Sequence, residues 1–153
     1  MPSTIYTLGY QGLSLEAYIG ILKEYPVSKV LDVRAAAWSR KPGFTKSTMQ
    51  QGLHDAGLGY RHLESAGNPF RKEESENILE KYRDYLQKHS DPLEAIEAEI
   101  AMAAKEQRSV CMTCFEKDPA HCHRSIIVEF LLERNPRLHV VHLGNEDDQL
   151  SLI

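Results

Sequence analysis

Short β-branched and aromatic runs alternate along this chain with longer stretches whose apolar residues recur every three to four positions. Residues 4–8 end at Gly9 and predict a first strand. Ser14 is a suitable cap for a helix over 15–24, with Leu15, Tyr18, Ile19 and Leu22 on one face. Residues 29–33 read as a second strand, followed by a long loop with a Pro42-Gly43 turn. A helix over 45–56 is closed by Gly57, and 58–63 form a third strand. After a loop over 65–71, residues 73–88 are helical, with Ile78, Leu79, Tyr82, Tyr85 and Leu86 as the apolar set. Asp91-Pro92 reads as an N-cap with proline at the first helical position, opening a helix to about Glu106. A fourth strand covers 108–113. Asp118-Pro119 repeats the cap signal and opens a helix to about Arg134, and 138–143 form a fifth strand. The tail from Gly144 carries Glu146, Asp147 and Asp148 and reads as solvated.

Strands alternating with helices imply right-handed crossovers and a mostly parallel sheet covered on both faces. The expected fold is therefore a three-layer, Rossmann-like α/β domain with five strands, spanning 1–153 as one unit. The two consecutive helices between strands three and four make one connection longer than the rest, a source of a lid or an extra layer. Composition agrees: 153 residues, 42% hydrophobic and 26% charged, exclude a disordered chain, a collagen-like repeat and a disulfide scaffold. A net charge of −4 argues against a globally basic nucleic-acid binder. The N-terminus lacks the basic and apolar regions of a secretory signal, and no apolar run reaches the length of a membrane span. Three cysteines crowded between Cys111 and Cys122 make a poor disulfide framework, which fits a reducing, cytoplasmic setting without membrane contact.

In open α/β sheets, ligands bind beyond the carboxyl ends of the strands. Strand one ends in Gly9-Tyr10, strand two carries Asp32 and is followed by Arg34, strand three ends near His62, and strand four ends at Thr113-Cys114 with Glu116 just beyond. Parallel strands bring these ends to one edge. The segment from Cys114 to Arg124 is the richest. With Asp118 as cap, Cys122, His123 and Arg124 fall near the first turn of a helix, whose free N–H groups and positive end favour an anion. Arg124 adds a permanent planar cation, and the same field would activate the Cys122 thiol. Alternatively, Arg124 pairs with Glu116 or Asp32 and fixes the loop.

Other cysteine chemistries fit less well. Cys111, Cys114, Cys122 and His123 resemble a zinc set on paper. However, Cys111 and Cys114 should point to opposite faces of a strand, and Cys122 and His123 are neighbours on a helix. No metal and no cofactor is therefore expected. A phosphatase-type loop needs an arginine six positions after its cysteine, and those positions hold Ala120 and Val128. The CxxC from Cys111 to Cys114 lies in a strand rather than opening a helix, unlike a thioredoxin-type pair. Neither GxGxxG nor the phosphate-loop lysine motif is present.

A second basic element runs from Arg34 to Lys46. It interleaves Arg34, Arg40, Lys41 and Lys46 with Trp38 and Phe44 and contains no acid. Such a loop would hold phosphate and stack a base, or simply anchor two rings in the core. His62 is a candidate general acid/base, because imidazole titrates near neutrality.

These residues, in this order, resemble a known family. Thr7-Leu-Gly-Tyr10, Leu31-Asp-Val-Arg34, Ser39-Arg40, Phe44, Tyr60-Arg-His-Leu63, Gly67-Asn68, Tyr82, and Cys114-x-Glu116 with Cys122-His-Arg124 are similar to the pattern of the domain-of-unknown-function family numbered 488. The resemblance spans nearly the whole chain and implies an α/β fold. It implies no activity. Ala66 departs from the bulkier residue or glycine often found there. The combined reading is an enzyme, a hydrolase or transferase, for an anionic or nucleotide-like small molecule. Tyr10, Arg34, Ser39, Arg40, His123 and Arg124 would bind substrate. Cys114 or Cys122 would be nucleophile or site lining, with Glu116, His62 or Asp32 as acid/base. The rival readings are a nucleic-acid-binding module built on 34–46, and a metal-binding or interaction domain.

Overall fold

A computed structural model describes residues 3–70, 77–118 and 122–144. Its strands are β1 (Thr4–Gly9), β2 (Val27–Asp32), β3 (Gly59–His62), β4 (Ser109–Cys114) and β5 (His139–His142). Its helices, among the described residues, are α1 (Leu15–Leu22), α2 (Lys46–Asp55), α3 (Ile78–Lys88), α4 (Asp91–Lys105) and α5 (Arg124–Arg134). The sheet runs β3-β2-β4-β1-β5, and every pairing is parallel. The expected three-layer α/β fold is therefore present, with its sheet wholly parallel.

Alternation along the strands splits the core into two layers. Tyr6, Leu8 and Cys111 face α1 and α2, packing with Tyr18, Leu22, Met49 and Leu53. Ile5, Val110, Met112 and Cys114 face α3, α4 and α5, packing with Tyr82, Leu86, Ile96 and Ile127. The opposite orientation of Cys111 and Cys114 follows from their odd separation on one strand. The connections after β1 and β2 pass over one face, and those after β3 and β4 over the other. The chain thus parts above the central strands, where parallel sheets form their crevices.

Local signals explain most boundaries. Ser14 caps α1, its hydroxyl accepting the Ala17 N–H at 3.0 Å. Gly57 follows α2 with a positive φ of 81°. Ser90, rather than Asp91, precedes α4, whose first turn holds Asp91 and a proline. The loop read after β3 contains a 3-10 turn over Glu64–Ala66. The helix expected from the Asp118-Pro119 signal begins only at Arg124, so Cys122 and His123 lie in the turn before it. Position 119 itself, the 73–76 part of the expected third helix and most of the acidic tail lie outside the described residues. No helix among the described residues is long and apolar enough to cross a membrane.

Candidate functional site

A cleft of about 720 Å³ opens at the carboxyl edge of the sheet. Its floor comes from the ends of β1 and β4: Tyr10, Cys114, Phe115 and Glu116. The loop after β2 builds one wall with Trp38, Ser39, Arg40 and Lys41. Asn68, Ile78 and Leu79 build the opposite side, and His123 enters from the turn before α5. The strand-end rule thus brings seven of the proposed site residues to one cleft: Tyr10, Arg34, Ser39, Arg40, Cys114, Glu116 and His123.

Asp32 and His62 are placed otherwise. Asp32 is fully buried beneath the cleft and receives the Arg34 guanidinium at 2.8 and 2.7 Å. It also receives the Arg34 N–H and the Tyr60 hydroxyl, at 3.2 and 2.5 Å. The remaining Arg34 N–H groups go to Tyr10 Oη, the Phe44 carbonyl and Met49 Sδ. All five donors of this guanidinium are therefore used inside the protein. Burial opposes the Arg34 charge, but the Asp32 bonds and charge more than offset this and raise its pKa. Desolvation and then Asp32 raise the Tyr60 phenol. His62 donates from Nε2 to the Arg34 carbonyl at 2.7 Å. Both residues shape the loop from behind rather than facing into the cleft.

Of the two aromatic residues in the basic loop, Phe44 is fully buried, stacked on Tyr10 at 4.3 Å between ring centres. Trp38 is 63% exposed at the cleft wall. Its ring stands beside Arg40 and Lys41 in that wall. Among the described residues, no hydrogen bond or ion pair holds the Arg40 or Lys41 side chain. Gly67 is forced by close packing, because a Cβ there would overlap the backbone of Ala35.

Cys114 and Cys122 are joined as a disulfide. This corrects the expectation drawn from an odd number of crowded cysteines. The two lie eight positions apart, with Cys114 at the end of β4 and Cys122 just before α5. The third cysteine, Cys111, is a buried free thiol whose pKa burial pushes up to about 12. Sulfurs of Cys114 and Cys122 and a Glu116 oxygen lie within 4.8 Å of one another. His123 Nδ1 stands 3.7 Å from Cys122 Sγ, so the objection that these neighbours sit apart on a helix does not hold.

Arg124 is fully buried. Its Nη1 donates to Cys114 Sγ at 3.3 Å and its Nη2 to the Lys117 carbonyl at 2.9 Å, while Nε has no partner. Among the described residues no carboxylate pairs with it; Glu116 and Asp118 act only through their fields. Burial accordingly lowers its pKa. Neither Asp32 nor Glu116 is the partner that a loop-fixing role would require.

His123 donates from Nε2 to the Val33 carbonyl at 2.6 Å and meets the Tyr82 ring edge-on at 5.1 Å. Burial pushes its pKa down to about 4, against the opposing pull of that carbonyl. The unfolded chain takes up this proton first, near pH 6.5. Stability should therefore be lost as the pH falls from about 6.5 to about 4, by roughly 3 kcal/mol at about 1.4 kcal/mol per unit. Melting temperature measured across this range should show that slope, and His123→Gln should flatten it. An equal slope in the variant would assign it to other groups.

The fold is that of a parallel three-layer α/β protein with a cleft at the sheet's carboxyl edge, beside which Cys114, Cys122 and Arg124 cluster. The family model described as Domain of unknown function DUF488 matches residues 14–131, and the chain belongs to that family. No curated protein matches the chain.

Sequence reasoning missed Asn68, Ile78, Leu79 and Phe115 as lining residues. Only the Gly67-Asn68 pair carried any signal, through the family pattern. The others are ordinary apolar residues until the chain folds over them.

Proposed function

We propose that the cleft binds an anionic, phosphate- or nucleotide-like small molecule and that the protein acts on it as a hydrolase or transferase. One observation carries this reading: Arg40 and Lys41, with no partner among the described residues, share a cleft wall with exposed Trp38. Two cations would take the anion, and the indole offers a face for stacking. Tyr10 and Ser39 line the approach. Arg34, with its donors already used, positions the loop that bears these groups. Cys114, which lines the cleft, would as a thiol be the nucleophile. Glu116, close to it, would transfer the proton to or from the leaving group. A ligand of this size fits a cleft of about 720 Å³, within the range of small-molecule sites.

Thermal denaturation with phosphate, pyrophosphate, nucleotides and short oligonucleotides tests the reading. A true ligand at a hundred times its Kd should raise Tm by on the order of 5–10 °C. The double variant Arg40→Ala/Lys41→Ala should keep its own Tm within about 2 °C and lose the ligand-induced rise, since exposed substitutions change stability little. If no anion moves the wild-type Tm, or if the variant responds equally, the cleft is not an anion site. Response to oligonucleotides alone, with affinity falling steeply in salt, would favour a nucleic-acid site instead.

A further inference from the structure

Arg124 carries a permanent charge, is fully buried, and lies against a disulfide that offers it no counter-charge. Buried charges are normally paired, and stranding one is costly. Opening the disulfide changes the balance, because a Cys114 thiolate would be the anion that Nη1 already faces at 3.3 Å. The second sulfur is also provided for. Cys122 Sγ accepts the Arg124 backbone N–H at 3.5 Å, at the start of an 11-residue helix whose end is partially positive. Both sulfurs thus face donors suited to the thiolate state; the Glu116 carboxylate, with an oxygen within 4.8 Å of both, is a charge that opposes it, and His123 Nδ1 stands 3.7 Å from Cys122 Sγ. A disulfide whose reduced form is favoured in this way is an oxidising one.

We infer that Cys114 and Cys122 form a reversible dithiol/disulfide couple that exchanges with thiols and disulfides entering the cleft, with Arg124 holding the Cys114 thiolate. Both cysteines are buried, but Cys114 borders the cleft and Cys122 does not, so an incoming thiol meets Cys114 first. An incoming thiolate bonds to Cys114 Sγ, and the disulfide breaks, leaving Cys122 as a thiolate at the helix start. A second thiolate attacks the incoming sulfur of the mixed disulfide. Cys114 then leaves as a thiolate on Arg124, and the external disulfide departs. Two thiols have been oxidised and the protein has gained two electrons; the two protons lost by the thiols pass to solvent or to the protein sulfurs. In reverse, the dithiol reduces a disulfide. Cys111, on the other face of β4, takes no part. This inference stands on Arg124 and the two sulfurs, so it survives a failure of the anion reading at Arg40 and Lys41.

The test uses glutathione buffers and alkylation read by mass spectrometry on the whole chain. Wild type should equilibrate between a form with two alkylated cysteines and a form with none, while Cys111 reacts only after unfolding. In Cys122→Ser, the Cys114 alkylation rate should reach half its maximum at least one pH unit below about 8.5, the ordinary thiol value. Adding Arg124→Met should move that midpoint up by at least one unit. Should that variant fail to fold, Arg124→Lys, which keeps a charge but loses the fork, should move it up by a smaller amount. A Cys114 midpoint at or above about 8.5, a midpoint indifferent to Arg124 substitution, or a disulfide that glutathione never opens would overturn the inference. So would stoichiometric zinc binding by the reduced protein that blocks disulfide formation, which would make the same residues a metal site.

Discussion

Asp32→Ala should cost about 3–5 kcal/mol, the usual penalty for removing one partner of a buried ion pair. The carboxylate, itself without solvent exposure, receives four hydrogen bonds, three from Arg34 and one from Tyr60. Its loss strands the Arg34 guanidinium, whose remaining contacts are neutral. For a chain of this size the Tm should fall on the order of 10 °C. Arg34→Ala should also destabilise the protein, and the double substitution should cost clearly less than the sum of the two. Denaturant unfolding of the four proteins measures this cycle. Strict additivity, or a loss under about 1 kcal/mol for Asp32→Ala, would show that water replaces the pair. The cleft should respond too, because Arg34 also ties the Tyr10 hydroxyl to the Phe44 carbonyl and so holds the base of the Trp38–Lys41 wall.

The second large effect is expected at Gly9, where β1 ends. A Cβ there would overlap the Glu116 carbonyl and stand 2.7 Å from Arg124 Nη1. The carbonyl belongs to backbone that is already held to β1. Tyr10 N–H donates to the Cys114 carbonyl at 3.1 Å, and Gln11 N–H to that of Phe115 at 2.8 Å. Neither obstacle is a flexible chain end, so Gly9→Ala must push the Glu116 segment away from β1. Overpacking of this kind costs about 1–3 kcal/mol, sometimes more. Gly20 provides the contrast: it lies inside α1, and a Cβ would meet nothing within 4 Å. Gly20→Ala should therefore stabilise by about 0.5–1 kcal/mol, through helix propensity and lost unfolded-state freedom. Thermal melts of both variants give opposite signs if the packing argument is right. A neutral Gly9→Ala would mean that the β1–Glu116 contact is loose.

The anion reading and the thiol reading meet at Cys114 but rest on different groups. Exposed cations on the loop after β2 carry the first. A buried cation at the start of α5 carries the second. The two sets of variants are therefore separable: removing Arg40 and Lys41 leaves Arg124 and its sulfur contact untouched.

Much of the architecture was legible along the chain. The alternating runs that became β1 to β5 are short, β-branched and bounded by caps and turns, so local chemistry alone marks them. Ser14 and Gly57 end their helices for reasons contained within a few residues. The parallel order of the elements also follows from their alternation, and with it the convergence of strand ends on one cleft. What each polar residue does there was decided only in three dimensions. Asp32 and Arg34 are two positions apart in sequence, yet Tyr10, Phe44, Met49 and Tyr60 had to close around them before the pair became buried structure. Cys122 lies before α5, where the Asp118-Pro119 signal predicts helix, and its pairing with Cys114 is visible only in three dimensions. The sequence marks Arg124 as a cation of the site, but only the packing of α5 against β4 buries it beside Cys114. Side-chain roles of this kind depend on which distant groups share a buried volume. Local propensity determines the elements, whereas burial and its unpaired charge determine the site.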